Sequence, residues 1–196
     1  MKKLVLASSN AGKIEEIRDL VAPLHITVVT LRDIFGKDMD LVETGNTFQE
    51  NALSKAQSIY DKVHLPVLAD DSGLEVDAMD KRPGIYSARF MGKQTSYAIK
   101  NQYIIDAVKG KTRTARYVCA MCLCLPGQPP ILIEETMEGE IHTEMMGDNG
   151  FGYDPIFYYP PCRKTTAQMT RVEKNKYSHR GKALRKLQQI LTEVTL

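Results

Sequence analysis

Residues 2–23 read KKLVLASSNAGKIEEIRDLVAP, and the spacing of the apolar positions changes once within them. KKLVLAS is a short apolar run suited to a strand. From Asn10 onward, Ile14, Ile17, Leu20 and Val21 fall on one helical face, and Pro23 helps to end the helix. A strand feeding straight into a helix is the opening unit of an α/β chain, and the alternation continues. ITVVT (26–30) predicts a second strand. Thr47-Phe-Gln-Glu50 is a capping-box pattern, with Phe48, Ala52, Ile59, Tyr60 and Val63 following at helical spacing. PVLAD (66–70) predicts a buried strand that runs into a turn at Asp71-Ser72-Gly73, after which LEVDAM (74–79) starts another. Residues near 95–109 predict a third helix with Ala98, Ile105 and Val108 inward. TARYVCAMCLCL (114–125) and ILIEETMEGEI (131–141) are β-rich, with a PGQPP turn separating them. Ser178 precedes a last helix striped by Leu184, Leu187, Leu191 and Val194. The expectation is a mixed central sheet flanked by helices. The 114–141 hairpin belongs to a second lobe, and a cleft between lobes is the natural ligand site.

The 196 residues suit one large domain or two small lobes, since domains centre on roughly 100–150 residues. Hydrophobic residues make 43% and charged residues 26%, an ordinary globular balance, and the net charge of +2 is too small to announce a nucleic-acid binder or a polybasic membrane anchor. The opening apolar run, Leu4–Ala7, is shorter than the roughly 7–15 residues of a secretory signal core. No stretch approaches the roughly 18 apolar residues of a membrane span. The chain is therefore expected to begin near Met1 and to stay in the cytoplasm. On a strand, Cys122 and Cys124 share one face and Cys119 takes the other. That spacing cannot close a zinc site, so these cysteines are expected as small core residues.

Four segments carry possible chemistry. Ser8-Ser9-Asn10-Ala11-Gly12-Lys13 joins strand to helix. Helix N-terminal N–H groups, small residues and a lysine favour an anion, although a capped turn with a solvated lysine has the same sequence. It is not a Walker A loop, for Ile14 follows the lysine. Asp70-Asp71-Ser72-Gly73 sets two carboxylates side by side, which is costly unless a cation such as Mg²⁺ is near, and Glu43 could be a second ligand. The bland alternative is an Asp-rich turn capping itself. Gly150-Phe151-Gly152-Tyr153-Asp154-Pro155 lets a flat ring approach the backbone, with Asp154 able to accept from a base edge. A tight turn with a core Phe is the alternative. Arg171–Lys182 packs five Lys or Arg plus His179 into twelve residues. Several are placed in the first turn of the final helix, where cations oppose the macrodipole and suggest an anionic ligand. Nucleoside triphosphate plus Mg²⁺ is the ligand class that uses all four.

SSNAGK, ETGNTFQENALSKA, LADDSGLEVDA, RPGIYSARF, GFGYDPIF and EKNKYSHRGKAL together resemble the inosine triphosphate pyrophosphatase family, in the same order from about residue 4 to 190. The resemblance implies an α/β fold with a long mixed central β-sheet flanked by helices, as a single two-lobed catalytic domain spanning 1–196 with the active site in the cleft. It implies a cytoplasmic, Mg²⁺-dependent homodimer that hydrolyses ITP, dITP and XTP to monophosphate and pyrophosphate, clearing deaminated purines from the nucleotide pool. By motif, Ser8, Ser9, Asn10, Ala11, Gly12 and Lys13 would hold the triphosphate. Glu43 and Asp71 would hold the metal, Asp71 would also accept the proton of the attacking water, and Ser72 would touch substrate. Phe151 would stack on the purine, with Gly152, Tyr153 and Asp154 lining its pocket. Lys174, His179 and Arg180 would close over the nucleotide, Arg180 reading the 6-oxo group, and Lys55 would help neutralise phosphate. The chain departs from the family pattern at SSN in place of TGN, at Gln168 in place of a glutamate, and at the basic pair Lys81-Arg82. A related pyrophosphatase of modified pyrimidine nucleotides and a nucleotide- or RNA-binding module without turnover are the competing readings.

Overall fold

The computed structural model describes residues 2–37, 39 and 41–193. Its first strand, β1 (Lys2–Leu6), leads through a short loop into α1 (Ala11–Val21), whose cap is the Asn10 side chain accepting the Lys13 N–H at 3.1 Å. β2 (Ile26–Thr30) follows and runs straight into a short helix, α2 (Leu31–Phe35), absent from the sequence expectation. Thr30 and Asp33 close a reciprocal capping box on α2. α3 (Phe48–Val63) starts at Thr47 as expected, but only half of its box forms. Thr47 accepts from the Glu50 N–H, whereas the Glu50 carboxylate takes the Asn46 N–H at 2.6 Å.

The largest departure from expectation is β3 (Val67–Val76), one unbroken ten-residue strand. The turn expected at Asp71-Ser72-Gly73 does not exist, because both carboxylates find partners on neighbouring helices instead of capping their own backbone. After β3 come the two-residue β4 (Arg82–Pro83) and α4 (Tyr97–Ala107). α4 buries Ile105 as expected, with Val108 just after it, but leaves Ala98 exposed and instead buries Lys100, Asn101 and Ile104. Lys100 hydrogen-bonds the Ala88 carbonyl at 3.0 Å and faces the Tyr97 ring, and its burial lowers the ammonium pKa.

β5 (Thr114–Cys124) and β6 (Ile131–Ile141) form the expected pair of long strands, followed by β7 (Phe157–Tyr159) and β8 (Lys164–Thr165). The strand order is β2-β1-β3-β5-β6-β7-β8, with β4 paired to β3. β1 lies parallel to β2 and β3, while the β6–β7 and β7–β8 pairs are antiparallel, so the sheet is mixed as expected. Cys119, Cys122 and Cys124 are buried and unbridged, Cys119 in one core cluster and the Cys122 and Cys124 sulfurs 4.0 Å apart on the opposite face.

The final basic segment is two helices, not one. α5 (Arg171–Tyr177) is opened by a Thr170–Glu173 capping box and ends at Ser178, and α6 (His179–Glu193) follows. Lys174 and Lys176 therefore sit in the last turn of α5, where cations complement the dipole, while Arg171 opens α5 and His179, Arg180 and Lys182 occupy the first turn of α6. Leu184, Leu187 and Leu191 form the expected buried stripe; Val194 lies outside the described residues.

The chain divides into two compact units. The first comprises residues 1–71, 119–135 and 183–196, the second 72–118 and 136–182. The hairpin expected to lie wholly in a second lobe is thus shared: its tip belongs to the first unit and its open end to the second. The first unit packs around Leu4, Leu6, Ile17, Leu68, Met121 and Leu187. The second packs around Leu74, Val76, Ile104, Met137, Tyr153 and Phe157. Val5 and Leu6 are both fully buried on a parallel strand, which places β1 among strands covered on both faces. No helix among the described residues is long and apolar enough to cross a membrane.

Candidate functional site

In the first unit three elements deliver charge to one place. The β1–α1 loop carries Ser8, whose hydroxyl accepts the Asn10 N–H at 3.3 Å, and Asn10 in turn caps α1. Lys13, in the first turn of α1, sends its ammonium to the fully buried Asp70 carboxylate at 2.8 Å, so it is not a solvated lysine. Asp71, the next residue of β3, faces other partners, as neighbours on a strand must. Its Oδ1 lies 3.2 Å from the Lys55 ammonium and its Oδ2 accepts from the Asn51 amide at 3.1 Å. Lys55 also reaches Glu43, in the loop before α3, at 3.0 Å. Two ammonium groups and three carboxylates are thereby gathered with little water access.

The consequences for proton affinity follow from burial and charge. Burial pushes the Asp71 carboxyl pKa above its ordinary value, against the pull of Lys55 and Lys13. Burial alone would lower Lys55, but Asp71, Asp70 and Glu43 outweigh it and raise its pKa. Lys55 therefore sits as a charged bridge between two carboxylates.

Asn51 was not singled out by the sequence. It is fully buried, and its Oδ1 accepts the Gly45 N–H at 2.9 Å while its Nδ2 donates to Asp71. It ties the loop bearing Glu43 to the strand bearing Asp71. Gly45 permits that approach, because a Cβ there would lie 2.6 Å from the Glu50 Cβ. The legible signal was the spacing: Asn51 and Lys55 are i and i+4 on α3, hence on one face.

Among the described residues no group of three or more His, Cys, Asp or Glu could hold a metal ion. Glu43 and Asp71 nonetheless converge on one cation, the Lys55 ammonium, and both are hard oxygen donors. Mg²⁺ is commonly held by one or two carboxylates, with water and substrate phosphate completing its shell. The pair fits a metal of that kind.

The second unit carries the remaining residues. Phe151 is 40% exposed, unusual for a phenylalanine on a loop so firmly held. Its N–H donates to Asp154 Oδ2 at 2.8 Å, and the Lys174 ammonium binds the same oxygen at 2.7 Å. Asp154 Oδ1 accepts from Thr166 at 2.8 Å and faces the Tyr117 hydroxyl at 3.4 Å. Asp154, expected to accept from a base edge, spends its oxygens inside the fold; it shapes the loop. Tyr153 is buried and donates its hydroxyl to the Ser87 carbonyl at 2.7 Å.

Two cations flank the exposed ring. Lys174 Nζ lies 4.9 Å from the Phe151 centroid and the Arg180 guanidinium carbon 5.8 Å from it. Arg180 also donates to the Ser72 hydroxyl at 3.2 Å. His179 is buried, stacked on Tyr117 with centroids 4.7 Å apart. Burial, first, and the nearby Asp154 carboxylate push the Tyr117 hydroxyl pKa well above its ordinary value, so Tyr117 serves as a neutral donor. Gln168, standing where a glutamate was expected, accepts the Thr165 N–H at 2.9 Å in a capping box, a task that Glu and Gln perform alike.

Gly150 is indispensable to this loop. Its φ is +77°, and a Cβ there would lie 2.1 Å from Asp154 Oδ2. Gly150→Ala is expected to destabilise the protein by about 2 kcal/mol or more, from left-handed strain plus overpacking. A urea midpoint equal to the parent's would refute this account.

The expected residues thus fall into two sets, one in each unit: Ser8–Lys13, Glu43 and Asp71 in the first, and Ser72, Phe151–Asp154, Lys174, His179 and Arg180 in the second. The chain is 46% identical over 187 residues to a dITP/XTP pyrophosphatase of Exiguobacterium sp., covering 95% of each. It is 41% identical to the dITP/XTP pyrophosphatase of Bacillus subtilis, covering 97% of the chain and 98% of the relative. Among solved structures, a HAM1 protein from Coxiella burnetii matches with a TM-score of 0.90 at 39% identity, covering 99% of this chain and 100% of that one. A nucleoside-triphosphatase / dITP/XTP pyrophosphatase from Mycobacterium abscessus matches with a TM-score of 0.77 at 35% identity, over 94% of this chain and 98% of that one. The family model describing the Ham1 family matches residues 4–190, the span over which the motifs had pointed to nucleotide pyrophosphatases, and the chain belongs to the Ham1 family.

Proposed function

We propose that this protein hydrolyses the non-standard purine nucleoside triphosphates ITP, dITP and XTP to monophosphate and pyrophosphate, keeping deaminated purines out of DNA and RNA. The observation that carries the reading is the buried set of Lys13, Lys55, Glu43, Asp70 and Asp71. That set suits phosphate chemistry, and the flanked Phe151 ring suits a base. A nucleoside triphosphate is the ligand class with a use for both. The names of the relatives, dITP/XTP pyrophosphatase, support the choice of purine.

Glu43 and Asp71 would hold Mg²⁺, which when bound supplies Lewis-acid polarisation of a phosphoryl oxygen. Asp71 accepts the proton of the attacking water, and its raised proton affinity suits that role. Lys13, with the loop at the start of α1, takes the charge that grows on the leaving pyrophosphate. Lys55 holds Glu43 and Asp71 in register in the absence of metal. Phe151 stacks on the purine and Arg180 donates to its 6-oxo group, where the amino group of adenine would present a second donor. The protein works in the cytoplasm as a homodimer.

The deciding assay incubates the protein and Mg²⁺ with ITP, XTP, ATP or GTP and identifies the products. Pyrophosphate and monophosphate from ITP and XTP, with ATP nearly untouched, is the expected result; GTP, which shares the 6-oxo group, tests the 2-position of the base separately. Orthophosphate and diphosphate would mean a different scissile bond, and nucleotide binding without turnover would make the chain a binding module.

A further inference from the structure

The loop that presents Phe151 is held at every consecutive residue. The Phe151 N–H is fixed by Asp154, the Tyr153 hydroxyl by the Ser87 carbonyl, and Asp154 by Lys174 and Thr166. The remaining residue, Gly152, is held from α4: the Asn101 amide donates to the Gly152 carbonyl at 3.1 Å. Gly152 has φ +68°, and the Tyr97 ring of the same helix lies 3.5 Å from where its Cβ would be. Tyr97 also packs edge-on against Tyr153 at 5.2 Å. α4 is thus the backing on which this loop rests, and Asn101 supplies its hydrogen bond.

Asn101 is 2% exposed, and its Oδ1 makes no hydrogen bond among the described residues. Burying an amide with its acceptor unsatisfied is unfavourable, and an apolar side chain of the same size would avoid that penalty. What the amide adds over such a side chain is the donor to Gly152. We infer that Asn101 is a positioning residue for base recognition: by fixing the Gly152 carbonyl it sets the Phe151 ring as a stacking platform, and it governs affinity for the base half of the nucleotide, leaving phosphate affinity alone. The inference rests on the nucleotide reading above and adds to it a residue to which that reading gives no role.

The test uses the full chain with Asn101→Ala and Asn101→Asp. The second keeps the shape and replaces the donor with an oxygen facing the carbonyl. Calorimetry with inosine monophosphate and, separately, with inorganic pyrophosphate is expected to show monophosphate affinity weakened about tenfold and pyrophosphate affinity within about twofold of the parent. In turnover, KM for ITP rises by about the same tenfold while kcat stays within about threefold, the signature of lost binding and not lost chemistry. Equal weakening of both ligands, or unchanged monophosphate binding in either folded variant, overturns the inference. So does failure of both variants to fold, which makes Asn101 a packing residue. A parent protein that binds neither ligand overturns the nucleotide reading itself and is recognised before any variant is made.

Discussion

Asp71→Asn is expected to lower kcat for ITP about a thousandfold, within the roughly 10²–10⁴ that a positioned general base contributes, while the chain stays folded. The substitution keeps the shape of the side chain and an acceptor for the Asn51 amide, but removes the group proposed to take the proton from water and one of the two carboxylates proposed to hold Mg²⁺. Stability should survive for a reason visible in the charges. Burial already raises the proton affinity of Asp71, so the folded state tolerates a neutral group there better than water would. Lys55 retains Glu43 at 3.0 Å, and Lys13 retains Asp70 at 2.8 Å. In metal-free protein the melting temperature is expected within about 4 °C of the parent, the shift that about 1 kcal/mol produces at this length. A folded variant whose turnover with Mg²⁺ stays within about tenfold of the parent would remove Asp71 from the chemistry.

The same pair of aspartates marks where the sequence was legible and where it was not. Elements governed by neighbours in the chain were readable. Asn10 capping α1, the β5–β6 pair around PGQPP and the leucine stripe of α6 all follow from local period and capping. β3 was not, because Asp-Asp-Ser-Gly is turn chemistry by itself, and it becomes a strand interior only when Lys13 and Lys55 arrive from two other elements. Propensity lost there to long-range electrostatics. Two further helix starts are encoded locally: Thr30-x-x-Asp33 and Thr170-x-x-Glu173 are box patterns, and they open α2 and α5. The second box places Lys174 and Lys176 at a helix C-terminus and leaves Arg171, His179, Arg180 and Lys182 in first turns. Within the site, residue types were legible but their duties less so. Asp154 has the acceptors that base reading needs, and only the structure shows them committed to Phe151, Lys174 and Thr166. Asn51 and Asn101 act through contacts 20 and 51 residues away in the chain, which no local pattern encodes.

Arg180 is the residue on which purine selectivity should turn. It is 4% exposed, donates to Ser72 and lies beside the Phe151 ring, so a base stacked on that ring would bring its edge groups near a desolvated guanidinium. A 6-oxo purine offers that group an acceptor. A 6-amino purine offers a donor, and two donors facing each other out of water leave both unsatisfied. Sites that read a polar group in this way discriminate by up to about 10⁴, whereas an apolar pocket of the same shape manages only about 10². Arg180→Ala is therefore expected to cut the ITP-over-ATP ratio of kcat/KM by about a hundredfold, mainly through loss of ITP turnover. Arg180→Lys tests whether charge alone suffices. An ammonium keeps the charge but not the planar fork, so most of the selectivity should remain lost. Thermal melting of both variants separates lost recognition from lost packing. If the ratio is unchanged in a folded Arg180→Ala protein, the discrimination resides elsewhere on the Phe151 side of the molecule, and Arg180 is only the partner of Ser72.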